Sequence, residues 1–348
     1  MKQLWIFLSI ALMQAYVHGK LGEFETIPIP TDAGVCNMAN HENAIIFTTA
    51  DRRLFRLDDR KLSEMTGVNR LIPLRGQLAV GHDGTSYLIE AKSYKVLALD
   101  RAGFLIWRSR EATPPADETT IEVSPDGTIV FMTNSNQVVA KSPEGADLWE
   151  TPILEDPGSS RVELAADGRI ALGEWNGTMT CLGPNGRRLW SVHGLDSVEG
   201  RYRFSQDGCL IVGTESGQLI SIDQHGKIRW SRVLSAPISQ PPTLVGKDCF
   251  IVMKTDLEVE CYNQNGESLW KFRNKYPRPP RAVSFGRSLY ILCGDRDEDV
   301  LYELDVDGKL RKTISLEIMP LRSLRIINGY RYMGASRRGL LRVPVSQD

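Results

Sequence analysis

The chain has 348 residues, of which 42% are hydrophobic, and a formal net charge of −1. That apolar content can bury a large core, either as one repeat array or as two ordinary domains. The near-neutral balance excludes general nucleic-acid binding, which needs a strong basic excess.

The chain begins with Lys2 and then runs "LWIFLSIALMQAYV", an apolar stretch of about 14 residues. A bilayer span takes roughly 20. Val17 and Gly19 occupy positions −3 and −1 of a cleavage point before Lys20, so residues 1–19 read as a signal peptide and 20–348 as a single domain. An uncleaved anchor is the other reading of this segment. No cysteine closes it, so lipid attachment there is not expected. The expectation is a secreted or periplasmic protein, monomeric, with no membrane span after cleavage.

Beyond the leader, one phrase returns. It closes at Met65, Trp107, Trp149, Trp190, Trp230, Trp270 and Lys312, in steps of 42, 42, 41, 40, 40 and 42 residues. A truncated eighth copy ends the chain at "LLRVPV". The content is rich in Val, Ile, Leu and Thr with turns every 8 to 12 residues, which excludes a helical array. The stretch Thr119 to Thr151 resolves into four strands, "TTIEV", "TIVFM", "QVVAK" and "DLWET", named A to D. Turns at Asp126-Gly127, Asn134 to Asn136 and Glu144-Gly145 separate them. Unbroken apolar B strands such as "CLIV" and "CFIV" suit a sheet covered on both faces.

Four-stranded units repeating every 40 residues or so predict an all-β, eight-bladed β-propeller of antiparallel blades. The eighth copy lacks strand D, and "GEFETIPIP" near the N-terminus resembles the strand D text "DLWETPIL". Residues 21–29 are therefore expected to be the outer strand of blade eight, with Phe24 in the tryptophan position, closing the ring. Phe24, Trp107, Trp149, Trp190, Trp230 and Trp270 are read as structural, filling the wedge where blades splay apart.

The phrase "VLALDRAGFLIW" (Val96 to Trp107) and its copies resemble the pyrroloquinoline-quinone-type propeller repeat, roughly Leu-x-Ala-Leu-Asp-x-x-(Thr)-Gly-x-x-x-Trp. Its Asp is matched at Asp58, Asp100, Asp223 and Asp305, and its Gly and Trp in five blades, while its Thr is absent from every copy. The resemblance implies the propeller fold. It also implies kinship with a quinoprotein-dehydrogenase-like family, whose members include the propeller lipoprotein of outer-membrane protein assembly. The adjacent cysteines of the family's dehydrogenases have no counterpart here, nor is there a Cys-x-x-Cys-His haem site. No cofactor is expected.

Long segments fall between D and A strands and share a face with the B–C turns, which places any binding site there. Two features on that face stand out. Trp175 occupies the B–C turn "GEWNGT", and "WKFRNKYPRPPR" offers Lys271, Arg273, Lys275, Tyr276, Arg278 and Arg281. The acidic "GDRDEDV" (Asp295, Asp297, Asp299) is a weak calcium candidate: its sixth position is Val300 instead of Gly and its twelfth Val306 instead of Glu. It reads better as a solvated turn that neutralises the basic loop. From Lys309 to Arg342, nine Lys or Arg stand against one Glu, a locally basic sector. His41, His82, His193 and His225 read as lone surface groups, and the strand cysteines as core, with Cys249 and Cys261 flanking one hairpin. The function expected is non-catalytic: a scaffold recognising a protein or glycan through the D–A/B–C face. The alternative is an enzyme on the same fold, quinone-dependent or acting as a lyase or hydrolase of cell-envelope polymers.

Overall fold

The computed structural model describes residues 25–31, 33–66, 74–90, 95–109, 120–133, 136–152, 161–198, 200–276, 281–295, 299–316, 324–334 and 339–344. Residues 1–19, expected from sequence to be a signal peptide, and Phe24 lie outside them.

Eight four-stranded antiparallel sheets stand in a ring. Blade three matches the sequence expectation strand for strand: A is Ile121–Val123, B is Ile129–Met132, C is Gln137–Lys141 and D is Asp147–Pro152. Strands B and C are buried almost throughout because neighbouring blades cover both their faces, while D alternates at the rim. The A strands lie innermost: that of blade one neighbours those of blades two and eight, so the ring closes.

Closure is made by the N-terminus. Glu25–Ile27 pairs antiparallel with Leu340–Pro344, with Glu25 opposite Arg342 and Ile27 opposite Leu340. Strand D of blade eight is thus supplied from the start of the chain, and no unpaired C-terminal edge remains. Arg342 ties the seam. Its guanidinium lies 3.4 Å from Glu25, 3.0 Å from Asp59 in blade one, and 3.5 Å from the centre of the Tyr330 ring.

The recurring tryptophans pack against apolar clusters shared by adjacent blades, Trp190 buried and the others partly buried. Each indole also reaches the C–D turn of the next blade. The Nε1 of Trp107, Trp149, Trp190, Trp230 and Trp270 donates to the carbonyl of Pro143, Pro184, Gln224, Gln264 and Val306, at 2.6 to 3.1 Å. The glycine of that same turn lies under the ring. A Cβ on Gly308 would stand 2.3 Å from Trp270, so the turn can approach only without one.

Candidate functional site

The loop face is built as the strand order requires. In blade four, Leu195 of the D–A connection donates its N–H to Gly177 of the B–C turn (3.1 Å); Leu234 to Gly217 (2.8 Å) and Asn274 to Leu257 (3.0 Å) repeat this in blades five and six. Trp175 crowns one such turn and is 46% exposed, beside a Glu174 side chain that is buried.

The basic loop does not form a single patch. Lys271 and Arg273 belong to the rim strand D of blade six (Ser268–Arg273), whereas Arg281 opens the innermost strand of blade seven (Arg281–Phe285). A D–A connection crosses the whole blade, about three strand spacings or ~14 Å. Lys271 is moreover already engaged, 3.4 Å from Glu258 and 3.3 Å from Glu260 on the neighbouring strand. That corrects the expectation that it neutralises the acidic turn of blade seven. Arg273 and Lys275 are exposed; Tyr276 is half-buried, its N–H donating to Asn274 at 3.0 Å. Arg278 lies outside the described residues.

Asp297 also lies outside them. Asp299 is buried at the start of strand C of blade seven, so this end of the acidic segment is no solvated turn. No cluster of three metal-ligating side chains occurs among the described residues. His41 departs from its expected surface place as well. It is buried, with Nε2 3.1 Å from the His82 carbonyl, because the A strand of blade one runs on to His41 before turning. His193 and His225 are exposed as expected. Cys249 pairs with Asn263 and Cys261 with Ile251, so the two thiols are diagonal rather than opposite, and both are free. Burial pushes the Cys261 thiol up to about 12. Much of the basic sector is neutralised internally: Arg331 meets Glu303 at 3.1 Å, and Arg311 meets Asp305 at 3.2 Å.

Sequence reasoning missed a charged group around the axis. Glu122, Glu163 and Arg203 hold equivalent register positions on the A strands of blades three, four and five. Arg161 lies 2.8 Å from Glu163, and Arg203 lies 3.5 Å from its other oxygen. The Tyr202 hydroxyl donates to the Arg161 carbonyl at 2.6 Å and fixes the backbone there. Glu122 is raised to about 7 by burial first and by the negative charge of Glu163 second, with Arg161 and Arg203 opposing. The only sequence signal was a charge at a strand position where blades one, two and seven carry Ala39, Ala79 and Val283.

Ring, blade and indole lock together define a β-propeller of the pyrroloquinoline-quinone-type repeat. Residues 29–172 and 175–316 match the family described as outer membrane protein assembly factor BamB, and the chain belongs to that family. It is 28% identical over 111 residues to the outer membrane protein assembly factor BamB of Bordetella pertussis, covering 32% of this chain and 28% of that protein. To its counterpart in Nitrosomonas eutropha it is 25% identical over 134 residues, covering 37% and 32%. These matches span about a third or less of the curated relatives. Among solved structures, BamB from Moraxella catarrhalis superposes with a TM-score of 0.71 at 20% identity, over 92% of this chain and 98% of that one. Virginiamycin B lyase from Staphylococcus aureus gives 0.60 at 14%, over 77% and 95%. At such identities the likeness is of fold alone. No described helix is long and apolar enough to cross a membrane.

Proposed function

We propose that the chain is an exported, monomeric scaffold propeller of the periplasm, which holds a protein partner on its D–A/B–C face. The observation carrying this reading is that face itself. Its connections are hydrogen-bonded to the adjoining turns in blade after blade, and Trp175 stands out from it 46% exposed. Rigid turns that display an amphipathic aromatic suit recognition of a partner surface. Membership of a family described as an assembly factor favours protein over glycan as the partner. Trp175, Arg273, Lys275, Tyr276 and Arg278 are the proposed contacts; Lys271 contributes only through its pairing with Glu258 and Glu260. The test is a photo-crosslinker placed at Trp175, at Lys275, and at Gln206 in an A–B turn on the opposite face. Adducts with an envelope-assembly protein should form at the first two positions only. Equal adducts at Gln206 would overturn the choice of face.

An enzyme remains the second reading because one observation favours it. Glu122, at about 7, sits beside the axis with its proton poised for transfer near neutral pH. Turnover of an envelope polymer that is lost in Glu122→Gln would establish it.

A further inference from the structure

The chain has six cysteines, and none is in a disulfide. Four of the sulfurs are directed away from one another. Cys36, Cys181 and Cys293 donate to the carbonyls of Gly34, Leu182 and Val300 at 3.9, 3.7 and 3.7 Å, and Cys209 accepts from Arg229 at 3.0 Å. Cys249 and Cys261 of blade six meet each other.

Register, packing and hydrogen bonding place them together. Cys249 lies opposite Asn263 and Cys261 opposite Ile251, so the two thiols leave the same face of the sheet as diagonal neighbours. That face packs on blade seven, where both join one cluster with Ile251, Leu289 and Ile291. Their side chains are hydrogen-bonded to each other. Diagonal neighbours stand roughly 7–8 Å apart at Cα, just beyond the ~4.4–6.8 Å that a disulfide takes, so a bond here must draw the strands together and is strained. The place suits such an adjustment. Cys249 opens strand B (Cys249–Met253) directly after the turn at 246–248, and strand C (Glu258–Asn263) stops two residues beyond Cys261.

The two thiols are unequal. Cys249 is half-buried and Cys261 fully buried. Burial first and the charge of Asp248 second push the Cys249 thiol up, and the hydrogen bond from Cys261 opposes them. Cys249 is thus the sulfur an oxidant reaches, with Cys261 held behind it as the resolving thiol.

We propose that Cys249 and Cys261 are a redox-labile thiol pair, closed by small disulfide oxidants and reopened by thiol reductants. The Cys249 thiolate attacks one sulfur of the oxidant, whose S–S bond breaks to give a mixed disulfide and one thiolate. The Cys261 sulfur then attacks the Cys249 sulfur, and its proton passes to the second departing thiolate. Two electrons and two protons leave the pair, and the oxidant is released as two thiols. Closure draws strand C toward strand B beside the C–D turn whose Gln264 carbonyl and Gly266 hold the Trp230 indole, so oxidation acts on the boundary of blades five and six. The pair lies at the A–B/C–D end of its blade and uses no residue of the proposed partner surface, so the two proposals stand or fall separately.

The experiment treats the full chain with oxidised glutathione in native buffer, quenches in acid, alkylates the remaining thiols and maps the peptides by non-reducing mass spectrometry. A peptide linked through Cys249 and Cys261 should form, with the other four cysteines alkylated, and dithiothreitol should return it to two thiols without unfolding the chain. In Cys261→Ser, the glutathione adduct on Cys249 should accumulate about tenfold or more over the parent, because nothing resolves it. In Cys249→Ser, buried Cys261 should take up no glutathione. Thermal melting reports that each variant folds, and Cys261→Ala replaces Cys261→Ser if the serine does not. No linked peptide, linkage that appears only in urea, or equal adduct on Cys249 in the parent and the Cys261 variant overturns the pair.

Discussion

The Trp230 Nε1 donates to the Gln264 carbonyl at 2.8 Å across a blade boundary, and Gly266, two residues on, lies against the same indole. The two partners belong to successive copies of one phrase, so each copy carries a donor for the next blade and a seat for the previous one. Gly266 has φ of 73°, and a Cβ there would come within 2.7 Å of the ring. Gly266→Ala should therefore lower stability by about 1–3 kcal/mol, from strain at positive φ plus displacement of the indole. Trp230→Ala should cost about 3 kcal/mol. If the contact is what matters, the double variant loses less than the sum of the singles, as read by urea denaturation. Strict additivity would show that the glycine serves its turn alone.

That lock explains why the architecture was legible. Period, turn glycines and closing aromatics all recur because every blade boundary has to solve the same packing problem. The N-terminal strand of blade eight could be read for the same reason, through its likeness to other D strands. The axis could not. Glu122, Glu163 and Arg203 are single residues on short inner strands, and their chemistry comes from neighbours some 40 residues away that no repeat dictates. Lys271 misled because its charge is met by Glu258 and Glu260 across the strand pair, a contact set by register. His41 misled because its strand continues one residue further than the turn signals indicated.

Trp175 separates recognition from stability. At 46% exposure on a tight turn it contributes little to the core, so Trp175→Ala should change the melting free energy by about 0.5 kcal/mol or less. Crosslinking to the partner should fall sharply in the same variant. A drop of several degrees in melting temperature would make the indole part of the fold and remove it as a contact.

Arg331 and Glu303 form the most enclosed ion pair described, at 3.1 Å with side chains 1% and 3% exposed. Arg331 also lies over the Tyr290 ring at 4.6 Å. Removing one member strands the other, so Glu303→Gln should destabilise by about 3–5 kcal/mol. Replacing both, as Arg331→Met with Glu303→Leu, should recover most of that loss, because desolvating the pair offsets much of its attraction. The comparison is made by denaturant titration, and a double variant as unstable as Glu303→Gln would show that the pair itself stabilises the blade seven–eight boundary.

Glu122 gives the fold a pH dependence of defined sign. Its carboxyl is raised from 4.5 to about 7 in the folded chain, by burial and by Glu163, against the opposing pull of Arg161 and Arg203. Between those two values the folded state keeps a proton that the unfolded chain has released, so stability falls as pH rises through this window. The cost is absent below the unfolded value and complete above the folded one. Glu122→Gln removes the ionisation and should leave stability nearly unchanged at about pH 4 while raising it by roughly 1–3 kcal/mol at about pH 8. Urea denaturation of both proteins across that range reads the effect of Glu122 together with its coupling to Glu163, while carboxylates distant from the pair titrate in parent and variant alike. A difference that stays constant with pH would mean that Glu122 titrates alike in the folded and unfolded chain, with Arg161 and Arg203 cancelling the effect of burial and of Glu163.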